Sequence, residues 1–528
     1  MKLAAIFKDG MVLQQNRINR IWGTADDGEE INVLFREKKY VTTCDNGEWF
    51  VDIEELSFGG PFEMTVTNSI GDKYVISDIL IGEVWLAGGQ SNMELELQNS
   101  DDGQEVCRNA DNDNIRFYNV PKYAKNDEGV LDLEDSTCWK IADNPEIADV
   151  SAVAYYFATK LYDELQVPIG IIDCYWGGTS ATCWFSREKA DEIPEVSDYI
   201  RQWDEVIESK SDVQYRKEMD EYNEEYNAWN NRVEELRLVN PSITWEEINE
   251  KAGLCPWPQP MGAESPFRPF GLYECMVKRV SPYGIKGFIY YQAEEDWSRG
   301  EYYDKLNDAV IKEWRECFSI GDYNDYPFII TQLPMYIAKG DEDIHYFAKL
   351  REAQERCFRF GNASGMAVLI DCGEFDNIHP TDKKTPGERL ALQALGRVYK
   401  LVRRYDNMYI KSVIYDKDCL ILSFDNSYGE IIVRYIDDDT LTAKNDKVER
   451  SGGGAFSGKI LGFEISEDGK KFYKAEVTVI GEQIKVLYNG IVKKPIEIRY
   501  AYMDYGVANV YNAAGLPLAP FRAIVDNK

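Results

Sequence analysis

The chain has 528 residues, with 59 basic against 92 acidic side chains and a net charge of −33. The length suits about three domains, and the charge argues against nucleic acid and anionic membrane surfaces as partners. No apolar run reaches the length of a membrane span. The histidines are two, His345 and His379, so any mechanism that needs an imidazole base has almost no choice of residue.

The first ten residues carry too short an apolar stretch for a secretory signal, which points to the cytoplasm unless a signal has been removed. The eleven cysteines are odd in number, scattered and without a Cys-x-x-Cys pair, as befits reduced thiols; a secreted form with one or two disulfides is the alternative. Two distant histidines and unclustered thiols supply no metal ligand set. Residues 1–80 alternate in the strand manner, as in Ile31–Phe35 and Trp49–Ile53, with turn signals at Asp27-Gly28 and Asn46-Gly47. They predict a small all-β domain.

From 81 to 400 strands alternate with helices. Ser151–Leu165 places Val153, Phe157, Leu161 and Leu165 on one helical face, and the strand Ile169–Asp173 then delivers Trp176-Gly-Gly-Thr179 to a loop. Repetition of this unit predicts a parallel sheet covered by helices, with ligands beyond the carboxyl ends of the strands. Within it, 187–270 is a helical insertion. Tyr215, Met219, Tyr222, Tyr226, Trp229, Val233 and Leu236 form a heptad-like seam, expected as core rather than sugar platform and packed against Tyr199, Trp203 and Val206. The segment Trp257–Phe270 is rich enough in proline and aromatics to wall a cleft. After 401 strand patterns return at Leu420–Phe424, Glu430–Arg434, Ala475–Val479 and Ile496–Tyr500, which predicts a C-terminal β domain interrupted by a flexible Ser451–Gly454. The acidic Asp437–Asp439 reads as a solvated turn.

The stretch Gly82–Glu94 organises the middle domain. Val84–Ala87 reads as a buried strand, Gly88-Gly89 permits a sharp turn, and Ser91 stands at a strand-to-helix corner where free backbone N–H groups can bind an anion. Ser91 is there either as a nucleophile or simply as an N-cap. His379 follows the apolar run Met366–Ile370 in a polar loop, with Asp376 three residues before it. If the fold joins the two loops, Asp376 can orient His379 and His379 can activate Ser91. Because a base must be neutral, the rate should rise with pH through an apparent pKa near or somewhat above the free imidazole value of about 6.5.

Gly89-Gln-Ser-Asn-Met93 and Asp376-x-x-His379 resemble the first and last blocks of the SGNH (GDSL-like) hydrolases, and more narrowly the sialate O-acetylesterase family. The resemblance continues through Met11–Gln14, Val167–Gly170, Trp176–Thr179, Gln292-Ala-Glu294, Leu350–Gln354, Gly515–Pro517 and Pro520–Arg522, in order along nearly the whole chain. It implies an SGNH-type three-layer α/β/α parallel sheet flanked by N- and C-terminal all-β domains. It also implies a serine esterase that forms an acetyl-Ser91 intermediate without metal or cofactor. O-acetylated sialic acid is the substrate the family name suggests, a neutral acetylated polysaccharide or oligosaccharide the alternative. A carbohydrate-binding protein with a dead hydrolase core is a third reading, against which the full set of Ser91, His379 and carboxylates speaks.

For the oxyanion the expected donors are the N–H of Ser91, that of Gly177 or Gly178, and the side-chain amide of Gln292. Gln90, Asn92, Arg299 and Arg351 are candidate substrate contacts. Two departures from the family pattern stand out. The usual Gln-Gly-Glu is Gln292-Ala-Glu294, where alanine requires a backbone without positive φ, and Glu295-Asp296 replaces the more frequent Ser-Asn. In some relatives the glutamate of this block is the triad carboxylate, so Glu294 rivals Asp376. His345 matches no catalytic block and reads as a loop or cap residue.

Overall fold

The computed structural model describes residues 1–125, 127–143, 145–240, 243, 245–434 and 460–526. The expected linker Ser451–Gly454 and the acidic turn Asp437–Asp439 lie outside them.

The central feature is a mixed sheet of eleven strands among the described residues. Its main path runs Trp139–Asp143, Asp111–Asn119, Ile169–Tyr175, Lys73–Gly89, Gly287–Tyr291, Phe328–Gln332, Gly365–Val368. All neighbours on this path are parallel except the edge strand Trp139–Asp143, which runs antiparallel to Asp111–Asn119. The sheet is therefore not purely parallel as expected; a connection of 19 residues or so between those two strands carries one short helix, Val130–Ser136, and returns antiparallel.

Lys73–Gly89 is the spine. At its start it pairs antiparallel with Gly59–Asn68 of the N-terminal β unit, and at its end it lies between Ile169–Tyr175 and Gly287–Tyr291. The domain boundary expected at residue 80 thus falls inside one strand of 17 residues. From Ile79 to Gly89 every residue is buried but none is charged except Glu83, the signature of a strand covered on both faces.

Side chains alternate across the sheet, and the two faces meet different helices. Trp85 packs edge-on against Phe157 of the helix Ala152–Leu165 at 5.2 Å, which in turn lies along Lys384–Arg397. Gly88, three positions on, faces the other way, where an added Cβ would sit 2.5 Å from the Trp314 ring of the helix Tyr303–Cys317. Helices on both faces give three layers. The helix Ala152–Leu165 starts where the sequence indicates: Ser151 Oγ accepts from Ala154 N at 3.1 Å, a cap worth about 1 kcal/mol, and Val153, Phe157 and Leu161 are buried.

The insertion contains the helices Ser197–Ser209, Asp212–Val239 and Trp245–Ala252. The long helix does not form the expected hairpin with the segment before it. Its Trp229 and Val233 instead cluster with Ile248 and Ala252 of the following helix, while Ile200 of the preceding helix belongs to the main core. In the C-terminal region the sheets Tyr409–Asp416, Cys419–Asp425, Gln483–Leu487, Glu476–Ile480 and Tyr473–Lys474, Phe463–Ser466, Glu497–Tyr500, Phe521–Ile524 carry three of the expected strands, whereas of Glu430–Arg434 only Ile432–Val433 is a strand, paired apart with Val510–Tyr511. This region reaches back to the central domain: Tyr511 OH donates to Asp371 Oδ2 at 3.1 Å, and Tyr505 packs on Phe375 at 5.6 Å.

Candidate active site

The spine strand ends in a turn that only glycine fits. Gly89 has φ +136°, and a Cβ there would lie 2.0 Å from Tyr291 O. The chain then enters the one-turn helix Ser91–Glu94. Ser91 Oγ is 2.8 Å from His379 Nε2, across 288 residues of sequence. The loop that carries His379 is shaped by Glu374, whose Oε2 accepts from Asn377 Nδ2 at 2.8 Å and whose Oε1 accepts from Thr381 N at 2.9 Å. Asn377 Oδ1 accepts from His379 N at 3.0 Å. At the base of this loop Arg389 grips Asp371 with two bonds of 2.6 and 2.8 Å.

Ser91, Gly177 and His379 line a cleft of about 1820 Å³, together with Asp173, Glu374 and, from the insertion, Tyr226 and Trp245. The aromatic seam of the insertion is thus divided: Tyr215, Trp229 and Val233 are buried, whereas Tyr226 faces the cleft. The Trp257 ring lies against Gly178, at 2.5 Å from the place of an added Cβ, and packs edge-on against Phe267 at 5.1 Å. It walls the loop beside Ser91.

Burial, followed by the charge of Lys383, lowers the pKa of His379 from 6.5 to about 4. The imidazole is neutral at physiological pH, as a base must be. The value lies below the expected one, which was near or somewhat above 6.5, and the structure puts Asp376 elsewhere. Its backbone is left-handed at φ +54°, which turns the side chain to accept from Lys339 N at 2.8 Å. Among the described residues no hydrogen bond joins Asp376 to His379. Glu294 is also off the imidazole. It is buried, its Oε1 accepts from Asn92 Nδ2, its Oε2 has no partner, and burial raises its pKa.

Several expected substrate contacts serve the scaffold instead. Gln90 Oε1 accepts from Gln292 Nε2 at 3.1 Å, Ala293 N at 3.4 Å and Glu295 N at 3.3 Å. The Gln292 amide also donates to Thr179 O at 3.1 Å and Asp296 Oδ2 at 2.8 Å, so it has no hydrogen to spare for an oxyanion. Arg299 pairs with the buried Asp296 at 2.7 Å and lies 4.1 Å over the Tyr199 ring. Arg351 is wholly buried and donates to Pro334 O and Met503 O. Asn92 is buried between the two loops. Gly177 N–H donates to Glu94 Oε2, and Lys122 pairs with the same carboxylate. His345 caps the helix Tyr346–Phe360, with Nδ1 2.9 Å from Asp343.

Ala293 overturns the expectation attached to it, since its φ is +152°. The backbone keeps the conformation that suits glycine, and an alanine bears it at a cost of about 1–3 kcal/mol. Asp296, the other departure, is tolerated because Arg299, Ser180 Oγ at 2.6 Å and Ala181 N at 2.8 Å satisfy its charge.

Two residues escaped the sequence reading. Asp173, two residues before the end of the strand Ile169–Tyr175, lines the cleft, and burial raises its pKa to about 7. Its signal was a carboxylate closing an apolar run. Lys383, in the run Asp382-Lys-Lys, is 1% exposed, and nothing in a run of charges marks the one that is buried.

No family model matches the chain. Curated relatives do. Sialate O-acetylesterase of Mus musculus is 26% identical over 577 aligned residues, which span 100% of this chain and 95% of that protein. The Homo sapiens sialate O-acetylesterase is 26% identical over 75% of this chain and 71% of its own length. The crystal structure of a carbohydrate acetylesterase from Xanthomonas citri matches with a TM-score of 0.74 and 26% identity over the whole of both chains. Likeness in sequence and fold along the full length supports a family-level assignment with these esterases.

Proposed function

We propose that this chain is a serine esterase that removes O-acetyl groups from a carbohydrate, with Ser91 as nucleophile and His379 as base. The observation that carries the reading is the 2.8 Å contact between Ser91 Oγ and His379 Nε2 at the edge of an open cleft. Homology to the esterases supports hydrolase activity in general, and the Ser91–His379 pair argues against a dead core.

In this mechanism His379 Nε2 takes the proton of Ser91 Oγ as the oxygen attacks the acetyl carbonyl. The N–H groups of Ser91 and Gly178 receive the oxyanion, since that of Gly177 is taken by Glu94; such donors are worth about 3–4 kcal/mol each. His379 then returns the proton to the departing sugar oxygen, leaving acetyl-Ser91. Water activated by the same imidazole releases acetate and restores the serine. Gln292 and Gln90 serve by bracing the loops.

The names of the relatives suggest an O-acetylated sialic acid. The cleft lining favours the neutral alternative by its acidic balance: Glu94, Glu96, Asp101, Asp149, Asp173 and Glu374 are on it against Lys122, Lys140 and Arg237, Lys122 and Lys140 are paired with Glu94 and Asp149, Arg237 lies 4.8 Å over the Trp245 ring, and Arg299 and Arg351 are used elsewhere. The test measures acetate release from p-nitrophenyl acetate, then kcat/KM for O-acetyl sialate and for an acetylated xylo-oligosaccharide at low and moderate salt. Ser91→Ala and His379→Ala should each cost at least about 10³-fold, with the double variant little worse, because the pair acts as a unit. His345→Ala should keep nearly full rate. A loss in the folded His345 variant equal to that of His379 would overturn the base assignment. A clear preference for the sialate would overturn the neutral reading alone.

A further inference from the structure

We propose that Lys383, acting through Asn92, is the positioning residue that fixes the Ser91 loop and the His379 loop relative to each other. The inference rests on the Ser91–His379 reading and concerns what aligns that pair when the carboxylate of Asp376 is turned away.

Asn92 directly follows Ser91 and is fully buried. Its Nδ2 donates to Ile378 O at 2.9 Å, the carbonyl directly before His379, and to Glu294 Oε1. Its Oδ1 accepts from Lys383 Nζ. One amide therefore ties the residue after the nucleophile to the peptide before the base. An amide can be turned over, but not here: a flip would set NH₂ against an ammonium and the carbonyl oxygen against a carboxylate and a carbonyl. The cation and the anion on either side make the orientation unique, and the register of the two loops follows from it.

Lys383 is buried at the start of the helix Lys384–Arg397, with Nζ 5.5 Å from the centroid of Tyr291. The groups that act on it are Glu294, Glu374, Asp382 and Cys372. Burial lowers its pKa to about 8, which leaves it mostly charged at neutral pH. That charge in turn disfavours a proton on His379, so the same residue that aligns the imidazole keeps it in the accepting form.

The test compares Lys383→Met and Lys383→Gln with the unmodified chain, using p-nitrophenyl acetate from pH 4 to 9 and labelling by a serine-directed phosphonate. In the unmodified chain the acid limb of kcat/KM should lie well below 6.5. In Lys383→Met, kcat should fall about 10- to 100-fold with KM within about twofold, and the acid limb should move up but stay below 6.5, since burial remains. Lys383→Gln keeps a donor to Asn92 Oδ1 without the charge. It should recover part of kcat yet show the same shifted limb. A folded Lys383→Met with unchanged kcat and limb overturns the inference. If Lys383→Met does not fold, the glutamine variant and the limb of the unmodified chain decide; a limb at 6.5 or above in the latter overturns it. Failure of the phosphonate to label Ser91 in the unmodified chain would instead sink the underlying dyad.

Discussion

Asp173→Asn offers a quantitative check of how the cleft floor is built. Asp173 is 2% exposed; its Oδ2 accepts from Ser151 N at 3.2 Å and Tyr175 OH at 3.3 Å, while Oδ1 has no partner. Burial raises its pKa from 3.8 to about 7. A carboxyl group raised in the folded state favours folding below its unfolded pKa, and that contribution is lost as pH rises toward the folded value. Relative to a neutral side chain the cost is about 1.7 kcal/mol at pH 5 and about 4 kcal/mol at pH 8, at 1.36 kcal/mol per pKa unit. Asparagine reproduces the shape and polarity of the neutral acid. The variant should therefore gain stability over the unmodified chain at pH 8 and gain less at pH 5, with the difference between the two pH values on the order of 2–3 kcal/mol. Urea midpoints at both pH values, read with m unchanged, measure it. A gain that is equal at pH 5 and 8, or a loss that grows with pH, would refute the argument that a buried, half-partnered carboxylate is being forced to ionise.

Further outcomes follow from the site. Asp376→Ala should lower kcat by no more than about tenfold, since the residue ties its loop to Lys339 N rather than holding the imidazole. A loss near the 10⁴-fold typical of a triad carboxylate would show that it swings onto His379 during turnover. Glu294→Ala should cost more than Asp376→Ala, because it removes the anion that helps hold the Asn92 amide. Ala293→Gly should raise stability by about 1 kcal/mol through relief of its positive φ, less the entropy glycine loses on folding; a lower urea midpoint would refute the strain.

Much of this architecture is legible in the residues. The strand–glycine–serine corner at 84–91 and the helix at 151–165 follow from local pattern, and the scarcity of histidine narrows the imidazole that could serve Ser91 to two residues, though not whether the fold joins the loops. What the pattern hides is direction. Asp376 has the spacing of an orienting carboxylate, but one left-handed residue points it at Lys339. Gln292 and Gln90 have the chemistry of substrate donors, yet their hydrogens and lone pairs go to neighbouring loops. A residue-level period likewise cannot tell that Trp229 and Val233 of the long helix pack on Ile248 and Ala252 while Tyr226 lines the cleft. Nor does a boundary in sequence texture at residue 80 reveal that the backbone runs straight through it. These depend on contacts far apart in the chain.

The distance between Ser91 and His379 along the chain has a consequence during synthesis. Ser91 is translated 288 residues before His379, an interval of about 15–60 s at ~5–20 residues per second. Through that time the nascent chain carries a serine without an imidazole to deprotonate it. The spine strand itself waits for neighbours that follow it: Ile169–Tyr175 on one side, Gly287–Tyr291 on the other. Its early half can already pair with Gly59–Asn68, which precedes it. The N-terminal β unit is thus a starting template on which the sheet can grow outward, and Ser91 meets His379 only when the strand Gly365–Val368 has taken its place and brought the histidine loop to the edge.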